Sequence, residues 1–311
     1  LEGAMRPSTL EGLAMEHGID VPVVSGFGSF TAFAGMYVAA CEVLRRPEDV
    51  RRLVDEVVED AQLAGAVHVE PALYVPRHRG RLGPDAEVAE LVLAALHAAS
   101  ARHGVGVGLM LNADRTVDPS DAVEQAELAV SLSDRGVVAF GLANDEAVGP
   151  PEWFGTAFDV AREGGLLSVP HAGELAGPAS VRSALDVLGA DRIEHGVRAV
   201  EDPELVERLA GGDVCLDVCP SSNLLLAVVD RIEDHPLPQL LAAGVPCSVN
   251  ADDPLLFGPG LLEEYQLCRD ELGLDDEAMA TIARSSITHS GAGDDVKAAG
   301  LAGVDAWLAA G

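Results

Sequence analysis

Histidines and carboxylates stand where apolar runs of this sequence end. His171 and Asp252 each close such a run, His195 closes a third, and Glu174 follows His171 by three positions. Histidine nitrogen and carboxylate oxygen bind divalent metals, and a catalytic zinc lowers the pKa of its bound water to about 7. Glu174 can then serve as a general acid, and His195 as a base or a group that orients hydroxide. These residues predict metal-assisted attack of water on an electrophilic carbon.

Each of these features is weak evidence for a metal site when it is taken alone. A single histidine at the end of a strand is more often structural, and an Asp-Asp-Pro sequence such as 252–254 is commonly a turn or a helix cap. Their occurrence in this order, each at the end of an apolar run, favours one common site over unrelated structural roles.

Short apolar runs alternate with amphipathic stretches along the chain. Parallel strands that are covered on both faces are continuously apolar, as several of these runs are. The stretches between them have helix periodicity, and Gly104, Gly136 and Gly165 follow three of them as helix C-caps. The predicted strands are residues 66–73, 105–112, 137–144, 166–173, 192–196, 214–220 and 247–254.

This alternation predicts an α/β fold made of βα units. Seven units fit a doubly wound sheet, but also a (β/α)8 TIM barrel whose first strand is missing from this chain and would precede Leu1. We predict the barrel, because its active sites lie at the carboxyl ends of the strands, where the histidines and carboxylates fall. We expect a single domain, 1–311, with N-terminal lid helices (about 8–64), barrel units (about 66–257) and C-terminal helices (about 258–309).

The composition of the chain limits the kinds of molecule that it can bind. The net charge of −31 argues against a nucleic acid or an anionic membrane. No apolar run is long enough to span a bilayer. Five cysteines without close pairing favour a reducing compartment. We therefore expect a cytoplasmic protein whose partner is a small molecule, and we leave a homo-oligomer open.

Several motifs together resemble the adenosine deaminase family, and the similarity covers essentially the whole chain. They occur in the family's order and spacing. The resemblance implies a (β/α)8 barrel that holds one zinc ion per chain. The motifs are LEGAMRPSTL at 1–10, LANDE at 142–146, HAGE at 171–174, RIEHG at 192–196, CPSSN at 219–223 and SVNADDPLLFG at 248–258.

The resemblance also implies roles for the residues at the ends of the strands. His171 and Asp252 look like two zinc ligands. Glu174 looks like the acid that protonates the purine ring nitrogen beside the amino-bearing carbon. His195 looks like the residue that orients and deprotonates the attacking water, with help from Asp252. Asp253 looks like the partner of a nitrogen in the five-membered half of the base.

Other motif residues are implied to contact the substrate. Glu2, in LEG, occupies the place of an acidic residue that contacts ribose, and we include Gly3 beside it. Phe30 and Phe33 resemble an apolar lid over the sugar, although packed core is an equal alternative. Asn144 replaces a glycine of the family whose backbone N–H faces the purine, so contacts to the base are expected to differ.

The implied activity is zinc-dependent hydrolytic deamination of a 6-aminopurine nucleoside, most simply adenosine to inosine and ammonia. Adenine and 6-aminodeoxyfutalosine are alternative substrates. Glu194 favours adenine slightly, since an acidic residue at this position is common in adenine deaminases, whereas Glu2 and the aromatic lid favour a nucleoside.

Two alternatives from other classes stay open. The family carries His-x-His directly before the Leu-Glu-Gly that begins this chain, so two further zinc ligands are expected just upstream of Leu1. A truncated relative that lacks them would be a non-catalytic, metabolite-binding protein. A metal hydrolase of amides or phosphoesters often needs a bridging lysine, and the single lysine, Lys297, lies far from any strand end.

Overall fold

The short apolar runs form parallel strands at the centre of the computed structural model, which describes residues 1–310. Seven strands make one sheet in the order β2-β4-β5-β6-β7-β8-β9, and β1 pairs separately with β3. Every pair is parallel, which confirms the predicted α/β fold class. The strands are β1 (His68–Val69), β2 (Ala72–Leu73), β3 (Gly106–Val107), β4 (Leu109–Asp114), β5 (Val137–Ala143), β6 (Leu167–Ala172), β7 (Arg192–His195), β8 (Cys215–Val218) and β9 (Cys247–Val249).

Helices connect and flank these strands. Many begin with proline, whose missing N–H costs nothing at the first helical position. Aspartate caps others, as Asp202 does by accepting from the N–H groups of Glu204 and Leu205. The helices are α1 (Pro7–His17), α2 (Phe30–Cys41), α3 (Pro47–Leu63), α4 (Asp85–His103), α5 (Pro119–Ser131), α6 (Gly155–Glu163), α7 (Pro178–Asp186), α8 (Pro203–Ala210), α9 (Pro220–Leu225), α10 (Leu237–Ala242), α11 (Pro254–Phe257), α12 (Leu261–Asp270), α13 (Asp276–His289) and α14 (Asp294–Ala310).

Two of the predicted strands are interrupted in the structure. The first is split into β1 and β2 around Pro71, which has no N–H to donate to a ladder. The second is split into β3 and β4 at Gly108, whose N–H donates to Val69 O at 3.0 Å. Apolar composition alone predicted each of these pairs as one continuous strand.

The hydrophobic core lies between the sheet and the helices and has two halves. One half joins β2, β4 and β5 to α3–α6, and the other joins β7–β9 to helices that include α7, α8 and α13. In α3 the buried Val50, Val54 and Val58 pack in the same cluster as Val92 of α4. Helix α3 therefore belongs to the outer helical layer, whereas α1 and α2 pack in a separate cluster with α11.

Charged residues also lie inside the sheet. Arg192, at the start of β7, pairs with Glu70 at 2.7 Å and with Asp217 of β8 at 2.9 Å. Arg192 is only 8% exposed, so both carboxylates are needed to offset its burial. Because Glu70 follows β1, this network connects opposite halves of the molecule.

The first three residues span the space between the end strands of the sheet. The amino group of Leu1 donates to Ala72 O of β2 at 2.6 Å, and Gly3 lies against Asp253, just after β9. Among residues 1–310 no backbone pairing joins β2 to β9. Within the same residues, no helix combines the length and the apolar character that crossing a membrane requires.

Candidate active site

The carboxyl ends of β6, β7 and β9 bring the predicted site residues together. The imidazole rings of His171 and His195 are 5.2 Å apart between centroids. His195 Nε2 lies 3.8 Å from Glu174 Oε1 and 3.9 Å from Asp252 Oδ2. Residues that are 81 positions apart in sequence therefore share one rim of the sheet.

Unusual backbone conformations are concentrated at this rim. Asn144, His195 and Asp252 have φ values of 83°, 66° and 56°, and Ala227 is the only other non-glycine residue among 1–310 with a positive φ. Such conformations are costly and are retained when the surrounding structure holds them in place. Here they set the direction in which the side chains at the strand ends project.

His171 has a carboxylate partner on the neighbouring strand. It is in register with Glu194 of β7, and its Nδ1 lies 2.5 Å from Glu194 Oε2 as an ion-pair contact without aligned hydrogen-bond geometry. Burial alone would lower the pKa of His171, but the Glu194 charge outweighs it and the pKa rises to about 9. Metal-binding histidines commonly have a carboxylate on their second nitrogen, so this pairing leaves Nε2 of His171 as a suitable ligand atom.

Further donor atoms for a metal converge beside it. Ligand atoms of His195, Cys219 and Asp252 all lie within 4.8 Å of one another. Cys219 Sγ donates weakly to Asp217 O at 3.7 Å, and burial raises the pKa of this thiol well above its usual value. In its present environment Cys219 is a neutral thiol, so the imidazole and carboxylate groups are the better donors. The donor set fits a divalent metal that accepts nitrogen and oxygen ligands.

Glu174 lies in the loop after β6, where its side chain is only 4% exposed. Burial, together with the nearby carboxylate charges of Asp252 and Glu146, raises the pKa of this carboxyl. A carboxyl with a raised pKa keeps its proton more readily at neutral pH, as a general acid must.

One buried carboxylate holds the loop that carries Glu174. Glu146 accepts hydrogen bonds of 2.6–2.9 Å from four successive backbone N–H groups, those of residues 173–176, and from the hydroxyl of Ser180. Burial alone would raise the pKa of Glu146, but these bonds outweigh it and the pKa is lowered. The loop is therefore anchored through its backbone to an ionised side chain.

Arg115 fixes the other end of the same loop. Its guanidinium, 1% exposed, donates to His171 O at 2.6 Å and to Gly149 O at 3.0 Å. Sequence reasoning missed both Arg115 and Glu146. Glu146 lies within the LANDE motif, so a charged residue beside an apolar strand end was the available signal for it.

Asn144 adopts the left-handed conformation that a glycine would tolerate most easily. Asparagine is among the few other residues that accept it. Its side-chain NH2 donates to both oxygens of Asp114 at 3.0 Å, and its Oδ1 accepts from Asp145 N–H. The substitution of asparagine for the family's glycine thus keeps the turn and adds a link to β4.

Glu2 and Gly3 lie at the same rim, but Glu2 is largely engaged by protein groups. Its Oε1 lies 2.5 Å from His78 Nε2, and its Oε2 accepts from the hydroxyl of Tyr37 at 2.9 Å. Burial would raise the pKa of Glu2, yet the hydrogen bond and the charge of His78 help to hold it far below its usual value. A Cβ on Gly3 would lie 1.6 Å from Asp253 Oδ1, so only glycine fits there.

Phe30 and Phe33 belong to a cluster of four aromatic rings that joins α2 to α11. Phe33 stacks on Phe257 of α11 with centroids 5.1 Å apart, and Phe27 contacts both rings edge to face. Phe30 lies 5.6 Å from Phe33. Both predicted lid residues border the central cavity, so they are packed side chains and part of its wall at once.

Asp253 and Lys297 complete the predicted positions. Asp253 is half-buried beside Asp252, and burial together with the neighbouring charge raises its pKa well above the usual value. Lys297, on α14, donates to Thr288 O at an exposed position. The residues described at the rim therefore include no lysine that could bridge two metals.

Comparisons with known proteins agree with this geometry. The family model described as adenosine deaminase matches residues 1–307. A Streptomyces virginiae protein that carries the provisional name adenosine/adenine deaminase is 45% identical over 98% of this chain and 94% of its own length.

Two solved structures are similar over nearly their whole length. Adenine deaminase from Arthrobacter aurescens has a TM-score of 0.93 and 31% identity, covering 99% of this chain and 96% of that one. An amidohydrolase from Burkholderia ambifaria, solved with bound zinc, has a TM-score of 0.89 and 27% identity, covering 100% and 90%. The resemblance seen in the sequence motifs is confirmed: the chain belongs to the adenosine deaminase family.

Proposed function

We propose that this protein is a zinc-dependent hydrolase that replaces the 6-amino group of an aminopurine with oxygen and releases ammonia. The observation that carries the proposal is the convergence of His171, Glu174, His195 and Asp252 at the carboxyl ends of three strands. Family membership supports the same chemistry, because two of the three relatives compared above are named for adenosine or adenine.

His171 and Asp252 would hold the metal. The carboxylate of Glu194 on the far nitrogen of His171, and the zinc bound in the Burkholderia ambifaria structure, support this choice. A zinc ion in such a site supplies a water-derived nucleophile at neutral pH, because it lowers the pKa of coordinated water to about 7. One ion per chain suffices for this chemistry.

Glu174 is the proton donor in this proposal. Its loop is fixed by Glu146 and its carboxyl is buried, so it can present a proton to the ring nitrogen beside the amino-bearing carbon. Protonation there makes that carbon more electrophilic. His195 faces Glu174 and Asp252 from β7, where it can orient the attacking oxygen.

The remaining residues would hold the base. Asp253, with its raised pKa, can donate a hydrogen bond to a nitrogen in the five-membered half of the purine. The missing side chain of Gly3 leaves room for Asp253, and Asn144 also borders the cavity. Phe30 and Phe33 form an apolar wall of the cavity.

The choice of aminopurine depends on Glu2. Adenosine was predicted partly because an acidic residue here can bind ribose, but both oxygens of Glu2 already have protein partners. We therefore favour free adenine as the substrate, in agreement with the Arthrobacter aurescens enzyme. Adenosine and 6-aminodeoxyfutalosine are the alternatives that a substrate comparison must include.

Ammonia release from adenine, adenosine and 6-aminodeoxyfutalosine by the zinc-loaded full-length protein tests the proposal. We expect turnover of at least one of the three, with the highest kcat/KM for adenine. Glu174→Gln should lower kcat by about 10²–10⁴-fold, as loss of a general acid does. Glu163→Gln, on the exposed surface of α6, is the matched control and should behave as wild type. Inactivity of the zinc-loaded wild type on every aminopurine would refute the proposed function.

A further inference from the structure

A chain of buried hydrogen bonds leads from the start of α10 to His195. The N–H of Leu237 donates to His235 Nδ1 at 3.1 Å, and His235 Nε2 lies 3.1 Å from Asn223 Oδ1. Asn223 Nδ2 in turn lies 3.2 Å from His195 Nδ1. All three side chains are at most 4% exposed, so each polar atom depends on its protein partner.

The N–H of Leu237 fixes which atom donates and which accepts in each of these hydrogen bonds. Leu237 is the first residue of α10, where a backbone N–H has no partner within the helix. A backbone N–H can only donate, so His235 Nδ1 must accept, and the proton of the neutral ring must sit on Nε2. Burial lowers the pKa of His235 to about 4, which keeps the ring neutral at neutral pH.

The orientation of Asn223 follows from His235. The oxygen and nitrogen of an asparagine amide have nearly the same shape, so their assignment depends on their partners. Because His235 Nε2–H donates, the amide oxygen must face it, and the amide NH2 must face His195. His195 Nδ1 therefore accepts, and since a neutral imidazole has one N–H, that proton sits on Nε2.

We propose that Asn223 and His235 are positioning residues that hold His195 as the Nε2–H tautomer, so that it donates a hydrogen bond into the site and is not the base. This Nε2 atom faces Glu174 and Asp252. The tautomer follows from the hydrogen bonds alone, whereas the identity of the oxygen that receives the bond rests on the proposed function.

The proposal revises the role predicted for His195 from the sequence. A nitrogen that already carries a proton can orient an attacking oxygen but cannot take a proton from it. The proton of the attacking water must then pass to a carboxylate of the site. Removing a group that fixes a catalytic tautomer costs up to about 10⁴-fold in kcat in the serine-protease triad, so Asn223 and His235 should matter although neither reaches the substrate.

Nitrogen-15 NMR of the histidine rings reads the tautomer directly. The full-length protein, labelled with ¹⁵N-histidine, is measured metal-free and zinc-loaded, and His195→Gln identifies the signals of His195. We expect a bare Nδ1 and a protonated Nε2 on His195 in both samples. His97, exposed on α4, is the control and should average between tautomers. A protonated Nδ1 on His195 in either sample would overturn the proposal.

Asn223→Asp keeps the shape of the side chain but reverses the direction of its hydrogen bond with His195. A carboxylate has only acceptors, so His195 must then carry a proton on Nδ1 to keep the contact. We expect that proton in the NMR spectrum of the variant, and a fall in kcat of about 10²–10⁴-fold with a smaller change in KM. An unchanged tautomer in the variant would count against the positioning role of Asn223. If the variant does not fold, the spectrum of the wild type still decides.

The two proposals fail separately. A protein that releases no ammonia from any aminopurine but shows the Nε2–H tautomer would refute the proposed function and leave the tautomer assignment in place. Turnover of an aminopurine by a protein with a protonated Nδ1 on His195 would support the proposed function and refute the tautomer assignment.

Discussion

Two parts of the rim are held in place by different physical means. The loop of residues 173–176, which carries the proposed acid Glu174, is bound by directional hydrogen bonds to the buried carboxylate of Glu146. The aromatic cluster of Phe27, Phe30, Phe33 and Phe257 is held by ring contacts at 5.1–5.7 Å. Ring contacts are weaker and less directional than charge-assisted hydrogen bonds. We infer that the loop serves the chemical step and the cluster serves substrate binding.

Glu146→Ala should have the largest effect, because it leaves four successive backbone N–H groups, two of them buried, without their acceptor. We expect the unfolding free energy to fall by about 3–5 kcal/mol and kcat by at least about 10²-fold. Denaturant unfolding and steady-state kinetics measure the two effects. Glu146→Gln retains one acceptor oxygen and should lose about half as much stability, while Glu163→Gln is the surface control. Wild-type kcat in a folded Glu146→Ala protein would contradict the role given to this loop.

Gly3→Ala should come next, since the added Cβ would lie 1.6 Å from Asp253 Oδ1 and must displace that side chain. A misplacement of about 1 Å can cost about 10²-fold in rate, and we expect a loss of that order in kcat/KM. Gly28→Ala is the control, because a Cβ there meets no atom within 4 Å. Equal kinetics for the two variants would show that the position of Asp253 does not matter.

Phe33→Leu should have a smaller effect that appears mainly in KM. Loss of the stacked contact with Phe257 is worth about 1 kcal/mol, or about fivefold, and kcat should change little. Phe158→Leu, which alters the core contact of α6 with Phe140 of β5, controls for general destabilisation and should leave KM unchanged. If Phe33→Leu lowered kcat as much as Glu146→Ala does, the inference that the cluster serves binding and the loop serves the chemical step would be wrong.

Lowering the pH should have the smallest effect, and it should weaken the loop of residues 173–176 but not the aromatic cluster. The pKa of Glu146 is lowered by folding, so its contribution is full above the ordinary value of 4.5 and is lost as the pH falls below it. We expect hydrogen-exchange protection of residues 173–176 to fall as the pH is lowered from about 4.5 through the depressed pKa of Glu146. The backbone of α2 beside Phe33 has no such anchor and should keep its protection over the same range. Parallel loss in both regions would indicate global unfolding instead.

Most of the sheet could be predicted from the sequence, because continuous apolar runs are the main signal of buried parallel strands. All seven predicted strands have a counterpart in the structure, and breaks were missed only around Pro71 and Gly108. These breaks depend on single backbone groups and leave hydrophobicity unchanged, so an apolar pattern does not reveal them.

The site is predictable to a lesser degree. Strand-end histidines and carboxylates were recognisable by type and spacing, and the structure brings His171, His195 and Asp252 together. Their supports were not recognisable, since Glu146 and Asn223 act on atoms about 28 positions away without any periodic pattern. The occupied carboxylate of Glu2 likewise depends on Tyr37 and His78, which only the folded chain brings near.

The claim that His171 holds the metal while Glu174 transfers a proton is tested most directly by measuring bound zinc and aminopurine turnover on the same preparations. We expect His171→Ala to lose both zinc and turnover, and Glu174→Gln to keep its zinc but lose turnover, with His97→Ala as the surface control. Full zinc occupancy in His171→Ala, or wild-type turnover in Glu174→Gln, would contradict this division of roles.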